Sequence, residues 1–345
     1  MTTDHHTRID QLKTRIDQLK KHYSQELAIL AHHYQQDEIV DHADFLGDSL
    51  ELSRKIPQLE AKYVVMCGVY FMAESAAILA KDWQRVYIPE AGAGCVLSEM
   101  APASLVNYAL QRINIISGQK VIPLTYVNTS AAVKATTGIY GGAVCTSANA
   151  GKMLDWALQQ GDSVLFLPDR NLGRNTAARL GVPEDEQAVL DLDNLRIPAG
   201  KRIYFWPGYC DVHERMKPEH IQSVRDSYPE AHVIVHPECP PEVVEKADAS
   251  GSTSQIIQYV REREEGSTIF VGTEINMVQR LAKQYRGSKQ ILPLLDIHCK
   301  DMAKINTSNF LKTLQGLEQS QSIFVDGQTR KAASLALERM LQVCG

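Results

Sequence analysis

The stretch that decides the fold is Ala231-His232-Val233-Ile234-Val235-His236-Pro237-Glu238-Cys239-Pro240-Pro241-Glu242-Val243-Val244-Glu245-Lys246-Ala247-Asp248-Ala249-Ser250-Gly251-Ser252-Thr253-Ser254-Gln255-Ile256-Ile257-Gln258. Its β-branched run, Val233 to Val235, is of the kind that forms a buried strand. The run stops at His236-Pro237-Glu238, because proline has no N–H to give to a ladder. A short helical pattern follows, and Gly251-Ser252-Thr253-Ser254 then leads into an apolar-periodic helix. Free backbone N–H groups and hydroxyls at a helix start make a natural anion site. One unit therefore offers an imidazole, a carboxylate and an oxyanion-binding turn.

Outward from this stretch, the same unit is found three times. A first strand ends in polar residues as Leu27–Ala31 into His32-His33-Tyr34, Val121–Thr125 into Tyr126-Val127-Asn128, and Val233–Val235 into His236-Pro237-Glu238. A small-residue turn then starts a helix at Gly47-Asp48-Ser49, Thr146-Ser147-Ala148-Asn149 and Gly251-Ser252-Thr253-Ser254. A second apolar strand enters another helix: Val64–Cys67 before Phe71–Leu79, Val164–Leu167 before Leu172–Leu180, and Thr268–Val271 before Ile275–Tyr285. Last come a strand and a loop that carries cysteine: Val86–Ile88 with Cys95, Ile203–Trp206 with Cys210, and Ile291–Leu295 with Cys299.

Strands alternating with helices at this spacing predict parallel βαβ units with helices on both faces. The fold class expected is α/β, with three similar αβα domains in a pseudo-threefold arrangement and the active site at their junction. The expected boundaries are an N-terminal helical extension over 1–24 and repeats over 25–117, 118–228 and 229–345, the last with C-terminal helices. In open parallel sheets ligands sit beyond the carboxyl ends of the strands. All the polar triplets, hydroxyl turns and loop cysteines fall at those ends.

The bulk composition bounds the class of protein. A chain of 345 residues, 44% hydrophobic, is long enough for two or three globular domains. No apolar run approaches membrane-spanning length, the N-terminus lacks an apolar signal core, and a formal charge of −5 gives no hint of nucleic-acid binding. Seven scattered cysteines in a chain without an export signal favour reduced thiols and a cytoplasmic location. Residues 7–20 repeat Thr-Arg-Ile-Asp-Gln-Leu-Lys twice, placing Ile9, Leu12, Ile16 and Leu19 on one helical stripe. That stripe is expected to dock on the body or on a second subunit, so a homodimer stays open. His5 and His6 read as floppy polar residues near the terminus.

Cys95, Cys210 and Cys299 share one place in the repeat. Thiolates suit soft metals and iron–sulfur clusters, and three of them leave one metal position open. The bland alternative, that each is a small buried apolar residue, competes with this joint role. Cys67 and Cys145 end strand runs and read as core, Cys239 follows Glu238 without a repeat partner, and Cys344 lies almost at the terminus. His32, Tyr34, His236 and Glu238 supply the usual acid–base groups. Ser49, Ser147 and Thr253 read as helix N-caps that can also bind an anion. Lys134, Arg170 and Arg174 could supply positive charge to an acidic substrate, with solvated surface charge as the default for each. No Walker loop, G-x-G-x-x-G, H-E-x-x-H or G-x-S-x-G occurs.

Ala31-His32-His33-Tyr34-Gln35, Gly47-Asp48-Ser49-Leu50-Glu51, the run from Tyr126 to Ala135, Thr146-Ser147-Ala148-Asn149, Asn171-Leu172-Gly173-Arg174, His236-Pro237-Glu238 and Gly251-Ser252-Thr253-Ser254 together resemble the quinolinate synthase family, in order, over about residues 25 to 315. The resemblance implies three α/β domains around an oxygen-sensitive [4Fe–4S] cluster held by Cys95, Cys210 and Cys299. It implies condensation of iminosuccinate, supplied by an aspartate-oxidising enzyme, with dihydroxyacetone phosphate to give quinolinate, phosphate and water in NAD biosynthesis. The binding positions it carries over are His32, Ser49, Tyr126, Asn128, Ser147, His236, Glu238 and Thr253, with Tyr34 also in the pocket. On this reading Glu238 and Tyr34 are the principal proton-transfer pair and His236 orients or relays. One departure is Lys300-Asp301-Met302-Ala303 after Cys299, where family members often have Cys-Pro-x-Met. The rival readings are a cluster-free α/β lyase or aldolase with merely buried cysteines, and an iron–sulfur redox sensor that binds a metabolite without converting it.

Overall fold

The computed structural model describes residues 2–192, 194 and 197–345, with side chains from Gln11 onward. The described chain forms two compact units, Met1–Cys95 with His298–Val325 and Val96–Ile297 with Asp326–Gly345. Every named strand pair is parallel.

The first unit holds a four-stranded sheet of β1 (Leu27–His32), β2 (Phe45–Gly47), β3 (Tyr63–Cys67) and β4 (Arg85–Tyr87), in the order β2-β1-β3-β4. Strands β1 and β3 are buried along their whole length, as continuous apolar runs in a parallel sheet covered on both faces should be. The helix Thr2–Tyr23 docks on this body: Ile16 is wholly buried in the core that contains Leu27, Ile29 and Phe310, and Leu12, Leu19 and Tyr23 pack beside it. Burying Ile16 contributes about 1.5–3 kcal/mol. The side chains of Ile9, His5 and His6 lie outside the described residues. The segment carrying Cys299 also belongs to this unit, where the helix Thr307–Gln315 packs against the N-terminal helix.

The second unit contains two sheets. One comprises β5 (Val121–Tyr126), β6 (Ala143–Cys145), β7 (Ser163–Leu167), β8 (Gln187–Val189) and β9 (Ile203–Phe205), ordered β6-β5-β7-β9-β8. The other comprises β10 (His232–Val235), β11 (Ala249–Ser250), β12 (Thr268–Gly272) and β13 (Gln290–Pro293), ordered β11-β10-β12-β13. The edge strand β8 is an addition to the expected pattern. The last helix, Gly327–Cys344, lies against the helix Ala131–Ile139. Their approach requires Gly138, since a Cβ there would stand 1.9 Å from the Ala332 carbonyl oxygen.

The three parallel sheets are those expected of three similar αβα repeats, and they share one topology. In each, the chain starts in the interior, adds its next strand on one side, then crosses back and grows on the other. The reversal creates a switch point beside the first strand, and ligand sites favour the carboxyl ends there.

Candidate active site

Register places the two polar motifs of each repeat side by side. His32 pairs with Gly47, Tyr126 with Cys145, and Val235 with Ser250. The polar end of each first strand therefore emerges next to its small-residue turn.

The first and third repeats turn their strand-end imidazole the same way. The Tyr34 N–H donates to His32 Nδ1 at 3.2 Å, and the Glu238 N–H reaches His236 Nδ1 at 3.4 Å. The following turns also match. Asp48 Oδ1 accepts from Leu50 and Glu51 N–H while Glu51 Oε2 accepts from Asp48 N–H, and Ser252 with Gln255 closes the same reciprocal box.

The capping residues are thus Asp48 and Ser252. Ser49 and Thr253 are the first helical residues, not the caps expected of them. In the second repeat Asn149 precedes the helix Ala150–Leu158, with its Oδ1 accepting from Thr146 N–H. Ser49, Ser147 and Thr253 are therefore spared capping. Thr253 Oγ1 is buried and lacks a hydrogen-bond partner, as does Asn128 Oδ1.

The densest chemistry lies in the second unit, around Glu238. Its Oε2 is 2.6 Å from His213 Nδ1 and 3.4 Å from His236 Nδ1. The two rings stack, with centroids 4.4 Å apart and planes 21° from parallel. His213 Nδ1 is also 3.2 Å from Cys210 Sγ, and its Nε2 is 3.0 Å from Thr273 Oγ1. Burial alone would push the Glu238 carboxyl up, but the His236 and His213 charges and hydrogen bonds outweigh it and hold the group well below the usual range. Neighbouring Asp169 goes the other way, raised well above its ordinary value by burial and then by the Glu238 charge. Asp169 caps the helix Arg170–Arg179 through Leu172 N–H and accepts from Cys210 N–H at 3.2 Å.

That helix also fixes the loop bearing Glu238. Asn171 Nδ2 donates to Glu214 Oε2 at 2.6 Å and to the Glu238 carbonyl at 3.2 Å. One turn on, Asn175 Nδ2 donates to the carbonyls of Pro237 (2.8 Å) and Cys239 (2.9 Å). The helix can come this close because Gly173 faces Phe205 and Phe166, where a Cβ would meet ring carbons at 2.6 and 2.8 Å. Arg170 pairs with Glu214 and lies over Tyr209, bracing the Cys210 loop.

In the first unit, the loops of Cys95 and Cys299 are laced together. Lys304 Nζ donates to the Gly92 carbonyl and to Asp301, while Gln35 Nε2 reaches the Met302 carbonyl. No disulfide joins any of the seven cysteines, and six of them fall into two groups. Cys67, Cys145 and Cys239 are fully buried, and burial pushes each thiol up, which makes poor thiolate donors. Cys95, Cys210 and Cys299 are half-buried in strand-end loops. By exposure each of these three can serve as a thiolate ligand to a soft metal, and the buried three are poor ones.

The matching family model is described as quinolinate synthetase A protein, and it covers residues 14–342. The chain belongs to the quinolinate synthetase A family. It is similar to a quinolinate synthase of Acidobacterium capsulatum, 43% identical over 331 residues that span 92% of this chain and 89% of the relative. A Geobacillus quinolinate synthase is 41% identical over 344 residues, spanning 96% and 94% of the two chains. One from Corynebacterium glutamicum is 41% identical over 349 residues, spanning 97% and 88%.

Within this quinolinate synthetase A member, the structure draws His236, Glu238 and Cys210 into direct contact through His213, a residue that sequence reasoning missed. The C-x-x-H spacing from Cys210 to His213 was the available signal. Thr273 was missed too, since it lies in none of the motifs singled out. Lys134 departs from the solvated default: it is fully buried, its ammonium donating to the Thr129 carbonyl. Arg170 is half-buried in its ion pair with Glu214, while Arg174 is exposed as expected. Among helices with the described residues, none is long and apolar enough to cross a membrane.

Proposed function

We propose that this chain is a quinolinate synthase that condenses iminosuccinate with dihydroxyacetone phosphate, releasing phosphate and water, in NAD biosynthesis. Iminosuccinate would come from an aspartate-oxidising enzyme, in the cytoplasm. Family membership supports the reaction class. The observation that carries the catalytic assignment is the Glu238 carboxylate, buried between two imidazoles and beside a half-buried cysteine.

Cys95, Cys210 and Cys299 are proposed to hold a [4Fe–4S] cluster. Bound there by three thiolates, the cluster supplies a Lewis-acidic iron with an open position for a substrate oxygen or nitrogen. The remaining work falls to side chains. Glu238 stays ionised despite burial, and its Oε1 lacks a hydrogen-bond partner. That oxygen is the base for a carbon-bound proton next to an imine or carbonyl. His236 and His213 fix the carboxylate and offset the change in charge. Tyr34, whose ring packs edge-on to His32 at 4.7 Å, is the complementary donor to the leaving oxygen. His32, Ser49, Tyr126, Asn128, Ser147 and Thr253 hold the substrates' carboxylates and phosphate; Thr253 Oγ1 and Asn128 Oδ1 are the buried atoms still lacking partners.

Anaerobic incubation of the purified chain with both substrates, assayed for quinolinate, tests the reading. Quinolinate should form, and iron and sulfide analysis should account for one cluster per chain. Replacing Cys95, Cys210 or Cys299 by serine should remove the brown absorbance together with activity. A cluster-free preparation that turned over at full rate would sink the cofactor assignment. A brown, well-folded protein that made no quinolinate would sink the reaction and favour a sensor.

A further inference from the structure

Cys210, His213 and Glu238 also form a group that cluster ligation does not explain. Their donor atoms all lie within 4.8 Å of one another, and they offer a thiolate, an imidazole and a carboxylate. We propose that, in the cluster-free protein, these three side chains bind a single tetrahedral divalent cation of the zinc type, and that this site competes with cluster assembly for Cys210.

Four observations carry the proposal. First, one nitrogen, His213 Nδ1, faces both other donors, at 2.6 Å from Glu238 Oε2 and 3.2 Å from Cys210 Sγ. A tetrahedral zinc would separate the same pairs by about 3.4 and 3.6 Å, so the site opens by less than about 1 Å when the cation takes the place of a proton. Second, the ring's other nitrogen lies 3.0 Å from Thr273 Oγ1. A hydroxyl serves either tautomer: it donates to Nε2 while Nδ1 bears the proton, and accepts from Nε2–H once Nδ1 binds metal. Outer partners of this kind orient metal-ligating histidines. Third, the stacked His236 ring prevents the His213 ring from tilting away. Fourth, Glu238 Oε1 is buried without a hydrogen-bond partner, leaving the carboxylate under-satisfied in the metal-free chain. Binding expels the Cys210 thiol proton to solvent, and the fourth position is left to water.

The site differs from the cluster in its ligands, which makes it separable by mutation. It shares Cys210 but needs neither Cys95 nor Cys299, and it requires His213, which cluster ligation does not. It also occupies the proposed base. A chain loaded with Zn²⁺ would therefore be unable to take up the cluster at Cys210 or to use Glu238.

The test is a Co²⁺ titration of the full chain, stripped of iron with a chelator. Expected is one equivalent bound with tetrahedral d–d absorption and a thiolate charge-transfer band, both abolished by added Zn²⁺. Cys210→Ser should remove the charge-transfer band, and His213→Ala should weaken binding at least tenfold, no less than loss of an outer partner does. His213→Gln, which keeps the buried volume, is measured beside it, with circular dichroism to verify folding. Cys95→Ser and Cys299→Ser should keep the full band. One equivalent of Zn²⁺ added before iron and sulfide should suppress the brown absorbance until it is chelated. The proposal is overturned if Co²⁺ is not bound, if the band vanishes in Cys95→Ser or Cys299→Ser, if folded His213→Gln binds as tightly as the parent, or if zinc leaves assembly unchanged. None of these readouts depends on quinolinate formation, so the proposal and the assigned reaction fail separately.

Discussion

The carboxyl ends of β1 and β10 are built on one plan and hold different chemistry. Each leads to a histidine whose Nδ1 meets the N–H two residues on, His32 at the end of β1 and His236 just beyond β10, and both stand beside a glycine followed by a reciprocal capping box. At the position two after the histidine, the first repeat has a half-buried phenol, Tyr34, and the third a buried carboxylate, Glu238. The tyrosine packs edge-on to the His32 ring. Glu238 lies against two imidazoles, His236 and His213, because the third repeat shares its unit with the Cys210 turn that brings His213. The shared backbone therefore sets where a group sits. The neighbours decide its charge. A repeated frame can in this way present a phenol at one end and an ionised carboxylate at another.

Breaking that contrast at its strongest point should have the largest effect. Glu238→Gln keeps the shape and the clamped backbone but removes the ionised oxygen. We expect kcat to fall roughly 10²- to 10⁴-fold, the range for loss of a general base. Brown absorbance should stay at the parental level. Near-normal kcat in a brown Glu238→Gln protein would show that the base is elsewhere.

The next effect tests why the Glu238 loop is fixed. Asn175→Ala leaves the buried Pro237 and Cys239 carbonyls without this donor. Stranded buried groups cost about 1–3 kcal/mol each, so a loss of several kcal/mol is expected by denaturant unfolding. Gly173→Ala should act on the same clamp by about 1–3 kcal/mol, by forcing the helix away from Phe166 and Phe205. If both variants unfold like the parent, the loop is held by something other than this helix.

Much of this frame was legible in the sequence. Buried parallel strands are continuous apolar runs, so β1, β5, β7, β10 and β12 stand out, and their shared polar endings expose the repeat. The strands β2, β8 and β11 did not stand out, because two or three residues carry no period. Nor was the return of residues 298–325 to the first unit marked by any linker. His213 was hidden for a different reason. Its role comes from contacts with Glu238 and Thr273, 25 and 60 residues further along, that no local pattern encodes. Lys134 was misjudged because composition says nothing of a carbonyl such as Thr129's that can receive a buried ammonium.

The one-residue shift between cap and first helical position gives the smallest and sharpest test. Ser252 and Thr253 are adjacent hydroxyls with opposite duties. Ser252 Oγ accepts from Gln255 N–H, so Ser252→Ala should cost about 1 kcal/mol of stability. Thr253 Oγ1 has no partner, so Thr253→Val removes a buried polar atom that the fold does not use. Its stability should change by no more than about 0.5 kcal/mol, or even improve. If that hydroxyl is kept for an anionic substrate group, KM should rise about tenfold, the equivalent of one lost hydrogen bond near 1.4 kcal/mol, and Thr253→Ser should restore it. The pair separates folding from binding at neighbouring atoms: stability moves in one variant, affinity in the other. Thermal unfolding and KM for dihydroxyacetone phosphate, measured on both, decide it. A Thr253→Val chain that loses stability as Ser252→Ala does, with KM unchanged, would return Thr253 to the structural role first expected of it.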